Sequence, residues 1–145
     1  MLGAHSDTLV LVHVIWATLG RTATLVPQID GWLAEMLAQK CLELGCDLLS
    51  VGNSREHVHM VLRQTPSIAL ADVVGRLKGS SSHAWNVLSP KRRVRWQTGY
   101  WARSVEQASL DGLLGYVRDQ RRRHGSGATS AAWEQHEVTS PRIVT

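Results

Sequence analysis

Residues 9–18, LVLVHVIWAT, constrain the fold more than any other stretch of this chain. The run is rich in Val, Leu and Ile and holds no Gly or Pro. It is strand-length, well short of the roughly 20 apolar residues that a membrane span needs. Such a run predicts a buried central strand, so the rest of the chain must build a sheet around it. His13 lies inside it and reads as a packed or rim histidine.

The following segments supply that sheet. Residues 19–26 read as a loop containing Arg21. Pro27 suits a first helical turn. Ile29, Trp32, Leu33, Met36, Leu37 and Leu44 fall near one helical stripe, which Gly45 ends. Residues 46–52 predict a second strand, 53–55 a turn, and 57–62 a third strand closing a hairpin. A second helix opens at Pro66-Ser67, runs through Leu77, breaks or bends near Gly79 and resumes from Trp85 to Leu88. Residues 89–93 form a basic loop, 96–105 a fourth strand or ribbon, and 109–124 a third helix stopped at Gly125. The order is β-α-β-β-α-β, a ferredoxin-like α+β pattern with an antiparallel sheet covered by helices on one face and an added C-terminal helix that carries Tyr116. We expect one domain over residues 1–125. The tail, 126–145, is expected to be loosely attached or to dock on another subunit through Trp133.

Charge narrows the partner. The chain has 16 Lys or Arg against 12 Asp or Glu, a formal charge of +4, and the excess is clustered. Residues 73–105 contain no acid but hold Arg76, Lys78, Lys91, Arg92, Arg93, Arg95 and Arg103. Arg118, Arg121, Arg122, Arg123 and His124 follow, relieved only by Asp119. Blocks of this kind suit a polyanion, because each phosphate neutralised releases counterions. Cys41 and Cys46 are too few for a disulfide scaffold and read as reduced thiols. The first ten residues carry Asp7 and no basic region, so they do not read as a signal peptide. The expected setting is cytoplasmic and nucleoid-associated, with no membrane.

Two short motifs carry chemistry. In REHVHMVLR, His57 and His59 are two apart on a strand and leave the same face. Their Cα atoms lie roughly 6.5–7 Å apart at about 3.3 Å rise per residue, so both imidazoles can converge on one cation. Val58, Met60 and Leu62 supply the opposite, buried face. On the last helix Leu110, Leu113, Leu114 and Val117 form an apolar stripe, and Tyr116 and Gln120 sit together on its flank as i and i+4 neighbours. The sequence has only two tyrosines, Tyr100 and Tyr116. Together these residues suggest a cation held by His57, His59 and the Gln120 amide oxygen, with sites left open for phosphate oxygens. Mixed nitrogen and oxygen donors suit Mn²⁺ or Mg²⁺, with Mn²⁺ the better match to imidazole. The Tyr116 hydroxyl would then attack phosphorus, leaving a 5′-phosphotyrosine and a free 3′-OH.

These features resemble the single-tyrosine HUH transposases of the insertion-sequence 200/605 family. VHVIWAT is similar to that family's first strand and EHVHMVL to its HUH motif. RLKGSSS resembles its Leu-Lys-Gly-Ser-Ser stretch, GYWARSV its ribbon before the last helix, and YVRDQ its Tyr-x-x-x-Gln helix. The order holds over residues 9–124. The resemblance implies a metal-dependent transposase that cleaves and rejoins single-stranded DNA at hairpin-flanked ends. It implies Tyr116 as nucleophile and His57, His59 and Gln120 as ligands of Mg²⁺ or Mn²⁺. It implies a homodimer in which the tyrosine helix of one subunit can complete its partner's site. DNA contacts are expected from Arg21, Arg76, Lys78, Ser80, Ser81, Arg92, Arg93 and Arg103. After the first strand the family often has a tract like Lys-Tyr-Arg-Arg, where this chain has TLGRT with only Arg21.

Three other readings compete. A hairpin-binding relative or domesticated nickase would share the same residues. An RNA-binding ferredoxin-like module would present aromatics on its central strands, where this chain has His57 and His59. A zinc hydrolase using HxH would need a further ligand, for which His83, His124 and Glu56 are loose candidates.

Overall fold

The computed structural model describes residues 6–134. Four strands, β1 (Leu11–Ala17), β2 (Asp47–Asn53), β3 (His57–Arg63) and β4 (Trp101–Ser104), form one sheet in the order β2-β3-β1-β4. Every neighbouring pair is antiparallel. The two central strands are the most apolar ones, and all seven residues of β1 are buried. This is the ferredoxin-like α+β arrangement.

Helices α1 (Ile29–Glu43) and α2 (Leu70–Leu88) cover one face. Ile29, Leu33, Leu37 and Cys41 recur every four residues and form the buried stripe of α1. They meet Val12, Val14 and Trp16 of β1 and Val58, Met60 and Leu62 of β3. Gly45 ends α1 at φ 80°, and the Cys46 N–H donates to the Cys41 carbonyl at 2.9 Å. That left-handed turn is one a side chain rarely adopts.

The expected break at Gly79 is absent, because α2 runs through it without interruption. An interior glycine costs a helix about 1 kcal/mol. Burying Val73, Val74 and Leu77 returns roughly 1.5–3 kcal/mol for each side chain, so packing overrides propensity. The helix also starts at Leu70 rather than at Pro66-Ser67. The fourth strand is shorter than expected: Trp96 forms only an isolated bridge to Thr18. The backbone between is held by the Lys78 ammonium, which donates to the Gln97 and Gly99 carbonyls at 2.6 and 2.7 Å.

The second face of the sheet is not open. The added C-terminal helix covers it: α3 (Leu110–Arg118) packs there through Leu113 and Val117 against Val61. The expected single helix over residues 109–124 is two helices. Asp119 leaves helical geometry at φ −94°, ψ 21°, and α4 (Gln120–Ser126) continues to a left-handed Gly127 rather than stopping at Gly125. Arg121 of α4 thereby reaches Asp30 at the start of α1, with nitrogen–oxygen distances of 2.7 and 2.8 Å. Among the described residues no helix is long and apolar enough to cross a membrane.

Candidate metal centre

Strand alternation sends His57 and His59 to the α3 face, as their spacing predicts, but they are buried there at 3% and 0% exposure. Each ring is anchored through Nδ1. His57 Nδ1 lies 2.7 Å from the Ser54 hydroxyl, and His59 Nδ1 lies 3.0 Å from Nε2 of His13. The two rings are 4.9 Å apart. Both Nε2 atoms are buried and face the same carboxylate oxygen, that of Glu134. Nδ1 anchored to a neighbour and Nε2 turned toward a shared point is the preparation that a metal-ligating imidazole receives, so these residues fit a divalent cation.

Protonation agrees. Burial, helped by repulsion from His59, pushes the His13 pKa down to about 3. Burial also takes His59 down to about 4, although Glu134 opposes the shift. Both rings are neutral at physiological pH, the form that binds metal.

Tyr116 approaches from α3, with its ring 6.1 Å from that of His59. Two contacts set the height of α3 above the sheet. The Ser50 hydroxyl donates to the Leu114 carbonyl at 2.8 Å. Gly52 lets β2 pass beneath the end of the helix, where a Cβ would stand 1.9 Å from the Val117 carbonyl oxygen. The Arg123 guanidinium lies 4.8 Å from the centre of the Tyr116 ring.

Gln120 is fully buried across the helix break. Its amide NH₂ donates to the Tyr116 carbonyl at 3.0 Å, taking a carbonyl orphaned where α3 ends. Its oxygen lies 3.1 Å from His124 Nε2. His124 in turn packs edge-on to His57 at 4.5 Å.

One participant has no counterpart in the sequence motifs. Beyond Gly127 the chain doubles back and brings Glu134 into the site. Its Oε1 lies 3.2, 3.3 and 3.1 Å from Nε2 of His57, His59 and His124, and its Oε2 accepts the Tyr116 hydroxyl. Burial opposes ionisation of Glu134, but its contacts with His57 and His59 hold the carboxyl well below the usual range. Burial, then the hydrogen bond to Glu134, raises Tyr116 to about 12. His57, His59, His124 and Glu134 offer ligand atoms within 4.8 Å of one another, a set that could hold a metal ion. Of the loose candidates, His124 reaches the site, Glu56 pairs with Arg21 at 3.2 Å, and His83 is exposed on α2.

The residues expected to touch DNA fall outside this centre. Arg76, Arg92, Arg93 and Arg103 are exposed, with Arg103 stacked 4.8 Å over Trp101. Ser80 is half-buried on α2. Ser81 is buried, and its hydroxyl bonds to the Lys78 carbonyl and the Trp96 indole. A cleft of about 430 Å³ borders the centre, lined in part by Ser54, Arg55, Arg121 and His124.

The sequence profile of the family described as "Transposase IS200 like" matches residues 6–120. The chain belongs to the IS200-like transposase family. Among its relatives is the ISDra2 transposase TnpA of Deinococcus radiodurans, 25% identical over 114 residues, which cover 74% of this chain and 81% of that protein. The fold of this IS200-like chain is similar to the crystal structure of a candidate transposase from Deinococcus radiodurans R1, with a TM-score of 0.66 and 23% identity over 83% of this chain and 98% of that one. It is also similar to a REP-associated tyrosine transposase bound to a REP hairpin, with a TM-score of 0.59 and 12% identity over 86% of this chain and 75% of the other.

Proposed function

We propose that this IS200-like protein cleaves and rejoins single-stranded DNA beside hairpins, with Tyr116 as nucleophile and a divalent cation held by His57, His59 and the Gln120 amide oxygen. The observation that carries the reading is the pair of buried Nε2 atoms that converge on one point beside a buried tyrosine. A bound Mn²⁺ or Mg²⁺ would neutralise and polarise a phosphodiester. Imidazole donors favour Mn²⁺.

The chain's own residues do the rest. Ser54 and His13 fix the two rings. In the step itself a bond forms between Tyr116 Oη and phosphorus as the bond from phosphorus to the 3′-oxygen breaks. The phenol proton leaves to solvent, and the departing 3′-oxygen takes one up to become a 3′-OH. One phosphodiester becomes another, so the reverse step rejoins strands with no energy source. The Arg123 guanidinium beside the ring favours negative charge on the phenol oxygen as the proton departs.

Exposed Arg76, Arg92, Arg93 and Arg103 would hold the DNA backbone, with Arg21 and Ser80 adding to the grip. A homodimer belongs to the reading, but Tyr116 already faces the histidines of its own chain. Action on DNA belongs beside the chromosome, in the cytoplasm.

The test is an adduct assay. Full-length protein is incubated with Mn²⁺ and a pool of single-stranded hairpin oligonucleotides, then resolved on a denaturing gel and mapped by mass spectrometry. A covalent adduct on Tyr116 is expected. Hairpin binding without any adduct would replace this reading with that of a binding relative.

A further inference from the structure

The segment from Gly127 to Glu134 fills the centre rather than merely lying near it. The Glu134 carboxylate touches the Nε2 atoms of both strand histidines with one oxygen and the Tyr116 hydroxyl with the other. A phosphodiester also carries one negative charge on two free oxygens. To react, it must lie between the same histidine nitrogens and the same phenol. Carboxylate and phosphodiester cannot share that space.

The nucleophile is engaged from both sides. Tyr116 donates to Glu134, and its oxygen accepts the Ser130 N–H at 2.9 Å. An attacking oxygen needs a lone pair free to face phosphorus. The Trp133 ring, 5.1 Å from that of Tyr116, covers the same side.

The segment is built to return to this position, and outside the centre itself it is held lightly. Gly127 turns the chain at φ 75°, and the Ala128 N–H donates to the Arg123 carbonyl at 2.9 Å. Besides the Ser130 and Glu134 contacts within the centre, the fastening beyond that point is a single turn of 3-10 helix and one half-buried indole against Leu113 and Val117. No strand pairs with it among the described residues.

We propose, building on the phosphotyrosyl reading above, that Glu134 is an internal stand-in for the substrate phosphate: the segment 127–134 closes the centre at rest and must lift away before DNA can enter. The centre then has a closed form, with Glu134 on the histidines and Tyr116, and an open form with both surrendered to the substrate.

The test uses full-length protein loaded with Mn²⁺ and dimethyl phosphate as a minimal diester, read by the relaxation enhancement of its ³¹P nucleus. A tethered carboxylate acts at millimolar effective concentration or above, so Glu134→Ala should raise the response to millimolar diester roughly tenfold. Trp133→Ala keeps the carboxylate but loosens its tether, and should shift the response in the same direction by a smaller factor. Adducts with the oligonucleotide pool should form faster in both variants. Equal ³¹P enhancement in wild type and both variants, with Mn²⁺ bound in a His57-dependent manner, overturns the stand-in while sparing the metal centre. Mn²⁺ binding that ignores His57→Ala overturns the metal reading and this inference with it.

Discussion

His13 Nε2 stands 3.0 Å from His59 Nδ1, a side-chain link between the two central strands of the sheet. When His59 donates through Nδ1, its Nε2 keeps a lone pair for a cation. His13→Phe preserves the buried ring and removes the acceptor. Outer partners of this kind are worth about 10–100-fold in metal affinity. Calorimetric titration with Mn²⁺ should show a loss in that range with an unchanged circular dichroism spectrum. Unchanged affinity would make His13 a packing residue only.

Tyr116→Phe should abolish the covalent adduct, a loss of at least about a thousandfold, because only the attacking oxygen disappears. Retention of hairpin binding, followed by gel shift, separates lost chemistry from lost fold. Cleavage that survives would move the nucleophile to Tyr100 or water.

Gly52→Ala places a methyl 1.9 Å from the Val117 carbonyl oxygen. Backbone has to move, and α3 is the neighbour that can. We expect a destabilisation of about 2–4 kcal/mol, read as a lower urea midpoint. Adduct formation should fall as well, since Tyr116 rides on the displaced helix. The same substitution at Gly79, which meets open space, should be neutral or stabilising.

Acid should destabilise the metal-free protein from inside. His13 and His59 have folded-state pKa values lowered to about 3 and about 4. The unfolded chain, with His near 6.5, binds more protons below that value, so stability present above about pH 6.5 is lost as the pH falls toward 4. At about pH 5 each imidazole contributes a penalty of about 2 kcal/mol. Urea unfolding in EDTA at about pH 7 and pH 5 measures it, and a flat profile would contradict the burial.

Affinity for single-stranded DNA should fall steeply with salt. Four phosphate contacts from Arg76, Arg92, Arg93 and Arg103 would lose about fiftyfold between roughly 50 and 200 mM. Fluorescence anisotropy across that range reads the slope. A shallow slope would remove those cations from the binding surface.

Much of this was legible in the residues. The unbroken apolar run of β1 marked the centre of the sheet, and alternation in β3 put Val58, Met60 and Leu62 in the core with His57 and His59 opposite. What escaped had long-range causes. Nothing local to Asp119 announces a break; it follows from α4 swinging to give Arg121 to Asp30. Gly79 looked like a breaker because propensity is local, whereas the burial that overrides it is tertiary. His124 stands four residues after Gln120, a helical spacing that could have brought it into the site. Glu134 lies eighteen residues from Tyr116 in a tail without periodicity, and no spacing rule connects them.

The sheet divides the apolar interior unequally. The α1–α2 face buries a broad set of large side chains, while under α3 only Val61, Leu113 and Val117 form a buried cluster, with Val105, Leu110, Leu114 and Trp133 half-buried around it. Local opening free energies follow apolar contact. The half of the molecule that carries Tyr116 should therefore exchange its amide hydrogens long before the half that carries Trp16. The proposed nucleophile would then sit on the part of the protein that breathes, and the histidines on the part that does not.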